Sequence, residues 1–294
     1  MIMSLATPCL PFTENAFRRL PNARVWRPFP REVADIVAVE DHCGGVRPRM
    51  YPWFGISLLK SPAVVTVEST RDIAADRNWV VLIPPFRLHE MRALGEPAEG
   101  VVTLLLRGTG LEGRDLPAQA SLAAYPALGE QLAGLISRLL PPVALLDHAT
   151  RTRSVVEQLL ECSSPLAADR RASPLAPVRT YLKANVNEPV PTEAVARMSG
   201  LSESQVIRTF HYDFGLPPHA YHLRVRLAAA CELLTRGVAV ARVSNECGFA
   251  DQSHLSRRFK AVYGVTPAAW AAGSAGGRGH DATMPARAID ARAS

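Results

Sequence analysis

Lysine is nearly absent from this sequence. Among 33 basic residues the lysines are Lys60, Lys183 and Lys260, so arginine carries almost all the positive charge. Codon bias in a GC-rich genome explains this first, and a binding adaptation only second. Paired cysteines are also missing. The five (Cys9, Cys43, Cys162, Cys231, Cys247) are odd in number and scattered, with no C-x-x-C, which excludes a disulfide framework and a zinc ligand set and leaves reduced thiols as the expectation. No apolar run reaches the roughly 18 residues of a membrane span. The opening MIMSLATPCLPF has neither the basic start nor the long apolar stretch of a secretory signal, so a soluble cytoplasmic protein is expected. There is no G-x-S-x-G, no phosphate-binding glycine loop, no cysteine with an evident histidine partner and no outstanding carboxylate pair. The chain is therefore read as no enzyme, with no catalytic residue and no cofactor.

What is present suffices for two domains. The 294 residues are 48% hydrophobic and 20% charged, enough apolar material for real cores and too little charge for global disorder. A net charge of +6 is compatible with nucleic acid without establishing it.

Three textures follow one another. Between about residues 24 and 107, short β-type runs are punctuated by Pro and Gly: 35–39, 55–59, 63–67, 79–83 and 101–106. Such spacing predicts an antiparallel sandwich or barrel. Leu128, Leu132, Leu135, Ile136 and Leu139 then mark an amphipathic helix within 122–140, stopped by Pro141-Pro142, and a second helix runs from about Val143 to Cys162. These helices can pack back on the strands or pair with a second copy, and the dimer surface is favoured. Residues 163–177 hold three prolines and read as a linker. Helical patterning resumes from Val178 to about Ala272, and the Gly/Ala-rich stretch 273–294 reads as disordered.

The helical third contains one arrangement twice. In TEAVARMSGLSESQVIRTFHYDFG (192–215), Thr192 can cap a helix whose inner face is Ala194, Val195 and Met198; Gly200 ends it, and Ser202 caps a second helix that buries Val206 and Phe210. In AVARVSNECGFADQSHLSRRFKAVYGVTP (239–267), Val240, Val243 and Cys247 face inward, Gly248 stops the helix, and Asp251 caps a helix that buries Leu255, Phe259 and Val262. Each is a helix-turn-helix pattern, and the recurrence is far more specific than either copy alone. A long helix over 219–235 joins them.

Residues 174–270 resemble the DNA-binding domain of the AraC/XylS family of transcription regulators. The strongest part is Gly248-Phe-Ala-Asp-Gln-Ser-His-Leu-Ser-Arg-Arg-Phe-Lys260, followed by Gly264-Val-Thr-Pro267. Departures are modest: Phe214 stands where a small polar residue is usual and Trp270 where Tyr is usual, while His211 and Tyr212 replace a usual Lys pair. With Val206 and Phe210 inside, the outward residues of the first unit are Ser204, Gln205, Ile207, Arg208 and His211; in the second they are Gln252, Ser253, Ser256, Arg257 and Lys260. The resemblance places base-reading residues at these same positions. Arginine is the natural bidentate partner of guanine and glutamine of adenine, whereas Ser, His and Lys suit phosphate or sugar. Ile207 has two readings, contact with a thymine methyl or filling a gap in the domain. Arg208 and Arg257 have a second reading too, as charges that merely solvate the helix surface or pair with Asp213 and Asp251. Over 178–272, eleven basic residues face seven acidic ones, so most of the positive excess lies here. Recognition helices about 34 Å apart would reach successive major-groove segments of one duplex face.

The strand-rich residues resemble the cupin-like arm of the same family, best over Asp72–Glu90. Metal-binding cupins need His-x-His and further converging ligands; this chain offers His42 and His89 without such a pair, so no metal is expected. A small barrel can instead hold one small molecule, and Arg49, Tyr51, Trp53, Arg87 and His89 are the candidate pocket residues, with ordinary packing or surface exposure as the equal alternative for each.

The expectation is thus an α+β chain of two domains: a cupin-like effector-binding and dimerisation barrel with trailing helices (1–162), a linker (163–177), an all-α domain with two helix-turn-helix units (178–272) and a tail (273–294). The resemblance implies a sequence-specific regulator, an activator controlled by a small-molecule effector of unknown identity. Its partners are double-stranded DNA, with RNA polymerase and a second copy of the chain as further candidates, and no membrane. A cupin-type enzyme fused to a helical domain and an architectural DNA-binding protein without effector are the rivals.

Overall fold

The computed structural model describes residues 23–29, 35–41, 48–68, 70, 72–94, 100–107, 116–137, 145–166 and 173–275. Its strands are β1 (Ala23–Trp26), β2 (Ile36–Asp41), β3 (Phe54–Leu59), β4 (Ala63–Val67), β5 (Ile73–Ala75), β6 (Val80–Ile83), β7 (His89–Ala93), β8 (Val101–Leu106), β9 (Ser121–Ala123) and β10 (Ser164–Pro165). Its helices are α1 (Pro126–Ser137), α2 (Leu145–Cys162), α3 (Ala176–Ala184), α4 (Thr192–Ser199), α5 (Glu203–Phe214), α6 (Pro218–Thr235), α7 (Val240–Glu246), α8 (Gln252–Tyr263) and α9 (Pro267–Ser274). The β-type runs of the sequence all appear as strands. The first trailing helix is shorter than its pattern, because residues 121–123 are drawn into β9. His42 lies outside the described residues, as do residues beyond 275.

The strands form two antiparallel sheets, one of seven in the order β1-β2-β8-β3-β6-β9-β10 and one of three in the order β5-β4-β7. The expected closed barrel is not formed among the described residues. Its reason lies in what covers the large sheet. On one face Ala38, Phe54, Ile56, Leu58, Val80, Leu82, Val102 and Leu104 pack against Leu132 of α1 and Val155, Val156 and Leu159 of α2. On the other face, the β3–β6 end meets the small sheet through Leu59, Val81 and Ile83 against Ala63, Val65, Val67 and Ala75. The remaining part, Val25, Val37, Val39 and Leu105, is covered by helices of the C-terminal third instead of by further strands. Covered on both faces, β3 and β6 are buried throughout and read as continuous apolar runs, whereas β4 alternates buried and half-buried residues.

The C-terminal helices divide into two cores. One is the second helix-turn-helix unit with α6 and α9: Leu227, Cys231, Leu234, Val243, Phe249, Leu255, Phe259, Tyr263 and Trp270, closed by Tyr51 and Trp53 from the strand domain. The other is the first unit with α3 and α6: Leu175, Val178, Leu182, Val195, Val206, Phe210, Phe214, Tyr221 and Val225, closed by Met50 and Leu88. Each large side chain buried this way contributes about 1.5–3 kcal/mol.

At the far end α9 rests on β1. The Arg27 guanidinium donates to the Ser274 carbonyl, and a Cβ added at Gly273 would overlap the Val25 carbonyl. Gly273→Ala therefore has to push α9 off the strand. It should destabilise the chain by about 1–3 kcal/mol, the usual cost of overpacking, read as a lower urea midpoint; an unchanged midpoint would mean that α9 does not rest on β1 in solution.

Candidate nucleic-acid interface

Local chemistry builds both units. In the first, α4 ends at Gly200, whose φ of 67° is the left-handed conformation glycine adopts without strain. Ser202 then opens α5 with a full capping box: its hydroxyl accepts from Gln205 N at 3.3 Å, and Gln205 Oε1 accepts from Ser202 N at 3.0 Å. In the second, Gly248 (φ 68°) makes the turn after α7, and Asp251 caps α8 by accepting from His254 N at 2.6 Å. Two expectations need correction. Pro191, not Thr192, is the residue preceding α4, and Thr192 is its first helical residue. Met198 is not on the inner face but 49% exposed, the inner positions being Val195 and Ala196.

Between the units lies α6, and Arg226 on it acts as a staple. Its guanidinium donates to three carbonyls, Val186, Glu188 and Gly248, each at 2.9 Å. The first two belong to the stretch before α4 and the third to the turn of the second unit, so one side chain fixes the two units to each other. At Gly248 the fit is close enough that a Cβ would overlap the Asn187 carbonyl. His222 Nε2 hydrogen-bonds the Asn185 carbonyl at 2.9 Å on the same side. Arg226 lies in the long helix expected over 219–235, but its carbonyl partners lie about 40 and 22 residues away, so no local signal shows this role.

Both outward faces are accessible. On α5, Ser204, Gln205, Ile207, Arg208 and His211 are exposed; on α8, Gln252, Ser253, Arg257 and Lys260 are exposed and Ser256 is half-buried. Arg208 and Arg257 are held in no ion pair among the described residues. Asp251 is engaged as a cap, and Asp213 accepts from the Ser173 hydroxyl. The helices differ in charge: α8 bears Arg257, Arg258 and Lys260 with no acidic residue, whereas α5 bears Arg208 against Glu203 and Asp213.

The five N-terminal candidates separate. Arg49, Tyr51 and His89 converge: Arg49 and His89 form a β-bridge, and the Tyr51 and His89 rings lie 5.7 Å apart. Arg49 and Tyr51 lie against the C-terminal domain. Arg49 pairs with Asp41 and donates to the Val262 carbonyl at 3.3 Å, while Tyr51 stacks on Tyr263 and Trp270 at 5.4 and 6.2 Å. Trp53 lies nearby under the Arg107 guanidinium at 5.2 Å. Arg87 is elsewhere, paired with Glu68 at 2.8 Å. Glu68 also faces Arg179 of α3 at 3.6 Å. Lys183, over the Phe86 ring, is pushed down to about 8 by burial and by Arg179 and Arg87. No cluster of three or more His, Cys, Asp or Glu side chains suited to a metal ion occurs among the described residues.

Residues 195–273 match the family model described as a helix-turn-helix domain. The HTH-type transcriptional regulator ArgR of Pseudomonas aeruginosa is 27% identical over 140 residues, 47% of this chain and 40% of that protein. The HTH-type transcriptional activator RhaS of Escherichia fergusonii is 34% identical over 88 residues, 30% of this chain and 32% of that protein. A solved AraC-type DNA-binding domain-containing regulator from Chromobacterium violaceum is 29% identical, covering 35% of this chain and 92% of that one, with a TM-score of 0.34. The chain thus spans well under half the length of these curated relatives. Its C-terminal third is a helix-turn-helix domain. Over those residues the chain is similar to the helix-turn-helix domains of AraC-type transcription regulators.

His89 is buried beside Arg49 and Tyr51. Burial pushes His89 down to about 4, and its Nδ1 hydrogen-bonds the Arg87 carbonyl at 3.0 Å. The unfolded chain takes up this proton near pH 6.5 and the folded chain only near pH 4. The stability His89 contributes is therefore complete above about pH 6.5, falls as the pH drops, and is gone below about pH 4, a change of at most about 3 kcal/mol. Relative to His89→Gln, which does not titrate, the wild type should lose up to about 3 kcal/mol between about pH 6.5 and pH 4, read from urea midpoints; parallel profiles would show that His89 is not buried neutral.

Proposed function

We propose that this chain is a sequence-specific, DNA-binding transcription regulator whose α5 and α8 enter successive major-groove segments of one duplex face. The observation that carries the reading is the pairing of two capped, outward-facing helices with an inner scaffold that fixes them to each other through Arg226. A single exposed helix would support any docking function; two held in register suit the repeat of a groove. Base-edge contacts are assigned to Gln252, Arg257, Ile207 and Arg208, and Ser204, Ser253, Ser256, His211 and Lys260 position the helices on phosphate and sugar. The N-terminal domain is the regulatory half in this reading. It takes a small-molecule effector and shifts the chain between arrangements of its two domains. Activation, contact with RNA polymerase and pairing of two copies through α1 and α2 belong to the same proposal; among the relatives, RhaS is named an activator.

Selection of bound duplexes from a random pool tests this. The wild type should enrich one bipartite motif. Arg257→Ala should bind it about 10–100-fold more weakly and relax preference at a single position, whereas Lys260→Ala should weaken all sequences alike and flatten the salt dependence by about one counterion. A folded protein that enriches no sequence, with or without candidate effectors, would overturn the reading.

A further inference from the structure

The two recognition helices carry different chemistry, and the difference points to one side chain. A charged and amide-bearing surface such as that of α8 can gain affinity from phosphates and read guanine and adenine by hydrogen bonds. As a helix α5 carries no net positive charge, Glu203 and Asp213 standing against Arg208. Its one glutamine is also committed. Gln205 Oε1 accepts from both Ser202 N at 3.0 Å and Ser202 Oγ at 2.9 Å, so the oxygen that would take the adenine amino proton in a bidentate pair is already engaged.

At the centre of that face stands Ile207, 42% exposed and outside the buried cluster around Val206 and Phe210. It fills no gap in the domain. A single exposed apolar residue needs no explanation by itself. This one lies on the outward stripe between Ser204 and His211, three and four residues away along the helix, beside Arg208. Among the four bases only thymine presents a methyl group in the major groove, and an apolar side chain is its natural partner.

We propose that Ile207 reads the C5-methyl of a thymine in the half-site under α5, so that the first unit selects by apolar contact and the second by charge and hydrogen bonds. This rests on the DNA-binding reading above and adds the base class that the first unit recognises.

The test uses the full chain and the duplex selected by the wild type, with each thymine replaced in turn by deoxyuridine, which removes the methyl and nothing else. One replacement in the half-site that does not respond to Arg257→Ala should weaken wild-type binding roughly four-fold, the worth of one buried methyl-sized group. Ile207→Ala should bind the thymine and deoxyuridine duplexes equally, and Ile207→Val, which keeps branched methyls, should retain the discrimination. Wild-type binding indifferent to every replacement there would overturn the proposal, as would an Ile207→Ala variant as sensitive as the wild type at the same position. In both cases an enriched motif that depends on Arg257 would leave the DNA-binding reading standing; the absence of any enriched motif would remove both.

Discussion

The arrangement depends on one sheet face that its own domain does not cover. Half of the inner face of the seven-stranded sheet is sealed by the small sheet, and the other half, with Val37, Val39 and Leu105, is sealed by α6, α8 and α9. Exposing that apolar half to water would forfeit the burial that stabilises β2 and β8 on that side. The C-terminal helices are therefore part of the N-terminal core rather than a separate body tethered to it. The stretch from Pro48 to Tyr51 concentrates the coupling. Met50 enters the core of the first helix-turn-helix unit and Tyr51 that of the second. The Pro48 carbonyl accepts from Arg224 at 2.9 Å, and the Met50 carbonyl accepts from the Tyr263 hydroxyl at 2.6 Å. Adjacent side chains in an extended segment point to opposite sides, and here the two sides belong to the two units.

A shift of this segment would be felt by both recognition helices together, because close-packed cores transmit displacement rather than absorb it. Arg226 works in the same sense from the other side of α6, since its three carbonyl partners leave the two units no independent movement without breaking charge-assisted hydrogen bonds. The strand domain and the staple on α6 hold the helix pair from opposite sides, while the outward faces of α5 and α8 stay open.

Both units were legible in the sequence because their signals are local. Gly200 with Ser202, and Gly248 with Asp251, state where a helix stops and the next begins, and the spacing of Val206 with Phe210 and of Leu255 with Phe259 states which side is inside. The strands were legible for the same reason. Failures came where distant residues decide. The barrel was expected because strand spacing cannot show that helices far later in the chain will occupy the sheet face that further strands would have closed. Met198 matched the inner period of α4, but Val195 and Ala196 already supply the contact on so short a helix. Gln205 is outward as its spacing states, and its part in the capping box is itself a local signature, Ser202 standing three residues earlier. For Arg49 and Tyr51 the pattern gave only chemical reach, and which partners fill that reach is a tertiary fact.

The unequal charge of the two recognition helices bears on how such a scaffold would divide its work. Phosphate contacts draw a protein to any duplex and weaken with salt, whereas an apolar contact with a methyl group is insensitive to salt and silent on the wrong base. With Arg257, Arg258 and Lys260 on α8 and no net positive charge on α5, general affinity and its salt dependence would fall to the second unit in the proposed function. The first unit would then add little on random sequence and much only where a thymine stands in the correct place. Because Arg226 and the 48–51 segment fix the two helices together, a duplex held by α8 would, in the proposed docking, present its neighbouring groove to α5 at no further cost in rotational freedom. The proposed weak, salt-independent contact on α5 would then discriminate between sites that α8 alone would bind alike.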